Sequence, residues 1–149
     1  MLVPIIMGSK RDEDHARKIA EYLEEYEIKT ELYIASAHKV PEMVLAIVND
    51  FNRKGEDIVY ITIAGRSNGL SGVVAANAIH PVIACPPFKD KSDYLANIHS
   101  SLLYPSDTPS MCVVDPQNAA MAAIRILALT NDKLRKRVAK HINDVKDSF

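Results

Sequence analysis

The feature that most constrains this chain is an alternation of short apolar runs with longer stretches of helical periodicity. Leu2–Met7, Ile58–Ile63, Pro81–Cys85 and Met111–Val114 read as buried strands, and Ile28–Ile34 reads as a strand that alternates. Between them lie helical patterns. Asp12 is placed to cap a helix carrying Ala16, Ile19, Ala20 and Leu23 on one face. Pro41 suits the first turn of a second helix, with Val44, Leu45, Ile47, Val48 and Phe51 as its apolar face and Gly55 after its end. Leu70–Ala78 is a short helix of small residues, Asp115-Pro116 opens the apolar helix Ala119–Leu129, and a charged helix starting at Asn131 or Asp132 runs to the end. Lys89 to Leu103 has no clear period and is expected to be a loop leading into a short helix.

Strands and helices that alternate through short connections dictate a parallel sheet with helices on both faces. Five strands in 149 residues predict one domain over residues 1–149, a flavodoxin-like doubly wound α/β fold in three layers, α/β/α, rather than a barrel. Hydrophobic residues make up 48% and charged residues 25%, enough apolar surface for a real core. The net charge of −1 offers no basic excess for a nucleic-acid backbone, although local donors suffice for a single phosphate. No tract approaches a membrane span, and no leader precedes the first strand, so a cytoplasmic protein without membrane or nucleic-acid partners is expected. Cys85 and Cys112 sit in apolar strands outside any metal spacing and read as buried, reduced thiols.

In open parallel sheets, ligands bind beyond the carboxyl ends of the strands. Three loops occupy those ends: Gly8-Ser9-Lys10-Arg11-Asp12, Ala35-Ser36-Ala37-His38-Lys39 and Ala64-Gly65-Arg66-Ser67-Asn68-Gly69. The first joins a glycine and a hydroxyl to a helix N-terminus, an anion site to which Lys10 and Arg11 add charge; the bland alternative is a capped helix with solvated cations. The second carries His38, a side chain of the type that both takes and gives a proton, beside Lys39, a cation for an anionic group; a loop histidine satisfied by backbone is the alternative. The third places Arg66, Ser67 and Asn68 among glycines that let backbone approach a ligand; a turn chosen for geometry is the alternative. His15, His80, His99 and His141 are scattered, with no metal spacing and no G-x-S-x-G elbow in the chain.

Taken in order, Met7-Gly8-Ser9 with Asp12, Ser36-Ala37-His38-Lys39, Ala64-Gly65-Arg66-Ser67-Asn68-Gly69-Leu70, Pro81-Val82-Ile83-Ala84-Cys85-Pro86-Pro87 and Ser100-Ser101-Leu102 resemble the PurE-type aminoimidazole ribonucleotide (AIR) carboxylases. The resemblance runs from about residue 3 to about residue 129. Lys39, and Gly69 where class I members carry a second histidine, follow the class II pattern. The resemblance implies direct carboxylation of AIR by carbon dioxide to 4-carboxy-AIR in purine synthesis, without ATP, biotin or metal. It implies that His38 is the proton shuttle and that Ser9 and Asp12, in the loop of Gly8 and Arg11, hold the ribose phosphate. Ser36 and Lys39, flanking Ala37, would bind the ligand from the second loop, and donors around Ser67 and Asn68, beside Gly65 and Arg66, would stabilise the new carboxylate. It also implies a homo-oligomer, commonly an octamer. The chain departs from the family at Arg11 (usually serine), Leu103 (usually arginine in class II) and Asp107 (usually glycine), which suggests that Arg11 supplies the cation Leu103 no longer does. The rival readings are class I mutase activity on N5-carboxy-AIR and a non-catalytic, flavodoxin-like nucleotide-binding module.

Overall fold

The computed structural model describes residues 1–149. Five parallel strands, β1 (Leu2–Met7), β2 (Lys29–Ile34), β3 (Tyr60–Ile63), β4 (Val82–Ala84) and β5 (Met111–Cys112), stand in the order β2-β1-β3-β4-β5. The helices are α1 (Glu13–Glu25), α2 (Pro41–Asn52), α3 (Gly69–Asn77), α4 (Lys91–Asn97), α5 (Pro116–Leu127) and α6 (Asp132–Lys146). This is the flavodoxin-like, doubly wound order, and its switch lies where the chain leaves β2 at the edge and crosses β1 to reach β3.

The central strands have no charged or solvent-facing side, and their alternate residues feed two separate cores. Val3, Ile5 and Met7 of β1 and Ile61 and Ile63 of β3 pack with α1, α5 and α6 on one face. Leu2, Ile6 and Tyr60 pack with Val44, Val48 and Phe51 of α2 and with Leu70 and Val74 of α3 on the other. Each such side chain is worth roughly 1.5–3 kcal/mol when fully buried, so a slip of one residue in β1 would move apolar groups between two unlike layers. At the edge, β2 is only partly covered, and Leu32 and Ile34 remain exposed.

The segment after β4 is, as expected, a loop leading into a short helix, α4, which continues into a 3-10 turn over Ile98–Ser101. Three expectations shift. β5 ends at Cys112, two residues early, and Cys112 is half-buried where Cys85 is fully buried. Asp12 stands at the start of α1 but its side chain caps nothing; the cap belongs to Ser9, whose Oγ accepts from the Arg11 N–H at 3.2 Å and opens a 3-10 turn ahead of α1. That turn shifts the capping role upstream and leaves the Asp12 side chain out of the cap.

Candidate active site

The carboxyl ends of β1, β2 and β3 carry the three loops, and backbone hydrogen bonds stitch them together. Gly8 N–H donates to the Ile63 carbonyl at 2.8 Å, and Ala35 N–H donates to the Met7 carbonyl at 2.8 Å. The second loop closes on itself through Lys39 N–H and Val40 N–H, both donating to the Ser36 carbonyl. The third holds Ser67 in the left-handed region (φ 44°), with Gly69 N–H donating across Asn68 to the Ser67 carbonyl at 2.7 Å, the three-residue pattern of an inverse γ-turn.

Between these loops lies a cleft of about 470 Å³. Gly8, Ser9, Arg11, Asp12, Ser36, Ala37, His38, Lys39, Gly65, Arg66 and Ser67 all line it, so the structure brings together every expected site residue but one. Asn68 is the exception, and the expectation that it faces the ligand is corrected. It is buried, its Oδ1 accepts from the Ser71 N–H at 3.1 Å as the cap of α3, and its Nδ2 donates to Ser71 Oγ (2.8 Å) and Ser101 Oγ (2.9 Å). Ser71 Oγ in turn meets Thr62 Oγ1 at 2.7 Å. Thr62, Asn68, Ser71 and Ser101, the buried polar residues of the chain, thus form one connected chain beneath the third loop. A buried amide with its donors and acceptor engaged stays where it is, because an unpaired one costs about 1–3 kcal/mol.

The His38 ring is exposed and lies against the start of α3. A Cβ built on Gly69 would stand 3.0 Å from His38 Nε2, so only the absence of a side chain there gives the ring its place. Gly65 meets a similar limit: a Cβ there would be 2.8 Å from the Pro87 carbonyl oxygen. That close approach folds the segment after β4 over the third loop and adds a fourth wall, Pro87, Phe88, Lys89 and Asp93. Sequence reasoning missed this wall; the Pro86-Pro87 pair marked the end of a strand, and nothing in the following residues announced that they turn back toward Gly65.

Arg11, Lys39, Arg66 and Lys89 set four cations on the cleft against the carboxylates of Asp12 and Asp93, and none of the four is spent in an ion pair. The cleft therefore presents a positive field to a small anion. Partial burial raises the Asp12 carboxyl above the ordinary carboxylate value, and the backbone amide of Ser9 works the other way. Beside the cleft, His15 Nε2 meets Cys85 Sγ at 3.3 Å; burial lowers the imidazole pKa and pushes the thiol up to about 12, so this pair is neutral packing rather than a nucleophile and its base. Leu103 does not line the cleft and is 76% exposed, whereas Arg11 does line it.

An open parallel sheet that carries a cation-rich cleft and a free imidazole at its switch point defines a flavodoxin-like α/β protein with a small-anion site. Residues 2–148 match the family model for AIR carboxylase, and the chain belongs to that family. It is 46% identical over 140 residues to phosphoribosylaminoimidazole carboxylase of Archaeoglobus fulgidus, covering 94% of this chain and 76% of that one. It is 41% identical to the Treponema denticola protein of the same name, covering 95% and 88%. The human bifunctional phosphoribosylaminoimidazole carboxylase/succinocarboxamide synthetase is 36% identical over 129 residues, which are 30% of its length. The crystal structure of Treponema denticola PurE superposes with a TM-score of 0.92 at 38% identity, over 99% of this chain and 92% of that one.

Proposed function

We propose that the chain carboxylates AIR with carbon dioxide to give 4-carboxy-AIR in purine synthesis, residues 1–149 acting as one carboxylase domain. The observation that carries this reading is the placement of His38: an exposed imidazole, seated against Gly69, in a cleft with four unpaired cations. The phosphate of AIR lies toward Ser9, Arg11 and Asp12, where the capped turn and α1 present N–H groups and positive charge. Arg11 takes the place of the arginine that Leu103 replaces. Ser36 and Lys39 hold the ligand from the second loop, and the backbone and side chains around Gly65, Arg66 and Ser67 face the incoming carbon dioxide.

Carbon 4 of AIR is the β-carbon of an enamine, so its π electrons attack the carbon of carbon dioxide and form the new C–C bond. The electron pair of one C=O bond moves to oxygen, giving a carboxylate beside Lys39 and the third-loop donors. Carbon 4 is then tetrahedral and carries one proton too many for an aromatic ring. His38 removes that proton, the C–H pair returns to the ring, and the imidazolium passes the proton to water; decarboxylation runs the same steps backwards. A positioned acid–base group of this kind supplies roughly 10²–10⁴-fold in rate. The substrate supplies its own electron sink, so the reading requires no ATP, biotin or metal.

The reading extends to a cytoplasmic homo-oligomer; no helix is long and apolar enough to cross a membrane. Ile79 and Leu129, at 73% and 72% exposed, and the Leu102–Leu103 pair support contact between copies.

The decisive experiment supplies AIR and excess bicarbonate without ATP to the native protein and to His38→Asn. Formation of 4-carboxy-AIR by the native protein, lost in the variant, is the expected result. Turnover of N5-carboxy-AIR in place of AIR would make the chain a mutase, and silence with both substrates would overturn the carboxylase reading.

A further inference from the structure

The wall contributed by the segment after β4 contains Phe88, the one carbocyclic aromatic ring on the cleft. The other lining residues are small, polar or charged, apart from Leu70 and the prolyl ring of Pro87. Phe88 is half-buried, and its surroundings hold it in place. Tyr94 packs against it edge to face, with centroids 5.2 Å apart and planes at 83°. Lys89 N–H, next along the chain, donates to Asp93 Oδ2 at 3.0 Å; Asp93 N–H donates to Asp90 Oδ1 at 2.9 Å, and Asn97 Nδ2 donates to Asp93 Oδ1 at 2.8 Å. On the other side, the Pro87 carbonyl is seated on Gly65. The ring is thus built into the fold before any ligand arrives. A perpendicular pair engages at most one face of a ring, so a face of Phe88 remains for a planar partner in the cleft.

We infer that Phe88 is the stacking platform for the heteroaromatic base of the substrate and sets the preference of the site for a ribonucleotide over a bare sugar phosphate. The inference rests on the AIR reading above. The cations of the cleft recognise charge, which ribose 5-phosphate and AIR share; they do not recognise a flat ring. A π-face does, and stacking leaves carbon 4 open above the plane for carbon dioxide. Tyr94 acts through Phe88, as a positioning residue.

The test measures dissociation constants for AIR and for ribose 5-phosphate, and KM for AIR, on the full-length native protein and on Phe88→Ala, Phe88→Leu and Phe88→Tyr. Loss of a base-stacking face is worth on the order of tenfold in affinity. Phe88→Ala and Phe88→Leu are expected to weaken AIR and raise its KM by about that factor, Phe88→Tyr to stay near native, and ribose 5-phosphate to bind alike throughout. Phe88→Leu fills most of the same volume, so it reports on the π-face even where Phe88→Ala loosens the loop. AIR affinity in Phe88→Leu within twofold of native, or equal weakening of AIR and ribose 5-phosphate, overturns the inference while the carboxylase reading stands. A native protein that does not bind AIR at all overturns both.

Discussion

His38 Nε2 lies 3.0 Å from where a Cβ on Gly69 would stand, and Cε1 lies 3.1 Å from it. The histidine proposed to move the proton therefore owes its position to a missing methyl group on another element. Gly69 does not adopt a positive φ, so alanine fits the backbone there and suits the first turn of a helix. Gly69→Ala thus isolates the steric effect: the imidazole has to move by a few tenths of an ångström while the fold is undisturbed. We expect kcat for AIR carboxylation to fall by about tenfold, given that 1 Å of misplacement can cost about 10²-fold, with Tm unchanged or slightly raised. Native kcat in this variant would mean that His38 is not the group whose placement limits the reaction.

The buried chain of Asn68, Ser71, Ser101 and Thr62 makes a contrasting prediction. Asn68→Ala removes the α3 cap and leaves the Ser101 hydroxyl without its partner in the interior, while Ser71 keeps Thr62. The expected cost is about 1–3 kcal/mol, seen as a fall in Tm of roughly 2–4 °C per kcal/mol. Serine or aspartate restores a cap acceptor at this position, and Asn68→Asp should recover part of the loss. A variant with native Tm and damaged AIR binding would return Asn68 to the ligand-contacting role that its place in the loop suggests.

The fate of Asn68 also indicates what is legible in a sequence of this kind. The parallel sheet follows from hydrophobic periodicity, and the convergence of the three loops follows from the doubly wound topology that the alternation of strands and helices implies. Polar residues in a glycine-rich loop are harder, since the same Asn is a good ligand donor and a good helix cap; only the hydrogen-bond partners decide. Asp12 and Ser9 exchange roles for the same reason: both are favoured caps, and one extra 3-10 turn settles which is used. The wall with Phe88 is invisible in the sequence because α4 buries no residue and so leaves no period to read. Its direction is set by the contact of Pro87 with Gly65, which are far apart in the chain.

Burial of Asp12 has a thermodynamic consequence. Its carboxyl is raised above 3.8, the value it would have in the unfolded chain. Between 3.8 and the raised native value the folded state holds more protons than the unfolded one, so stability falls as pH rises through that window and stays lower above it. Asp12→Asn removes the ionisation. We expect a higher Tm than native near about pH 7, a difference that closes by about pH 3, where Asp12 is protonated in both states. AIR binding should weaken in the same variant, because the carboxylate that costs stability is the one proposed to hold the ribose phosphate portion. A Tm difference independent of pH would assign the effect to packing rather than charge.

Asp107 occupies the left-handed region with φ 61°, at the position where the family usually has glycine. Aspartate is among the few L-residues that tolerate such a φ. It sits in an exposed turn, flanked by Ser106 and by Thr108, whose Oγ1 donates to the Ser106 carbonyl at 3.2 Å. Asp107→Gly relieves the steric cost at Cβ and adds freedom to the unfolded chain. The first effect is about 1–2 kcal/mol for an ordinary residue and smaller for aspartate, and the second opposes it by about 0.5–1 kcal/mol. The net expectation is a change in stability within about 0.5 kcal/mol, whereas Asp107→Val, β-branched and without a local hydrogen-bonding group, should lose about 1–2 kcal/mol. Chemical denaturation of the three proteins checks the ranking. If the Asp107→Val protein proves as stable as native, the turn relaxes to negative φ, and glycine in the family serves some need other than backbone conformation.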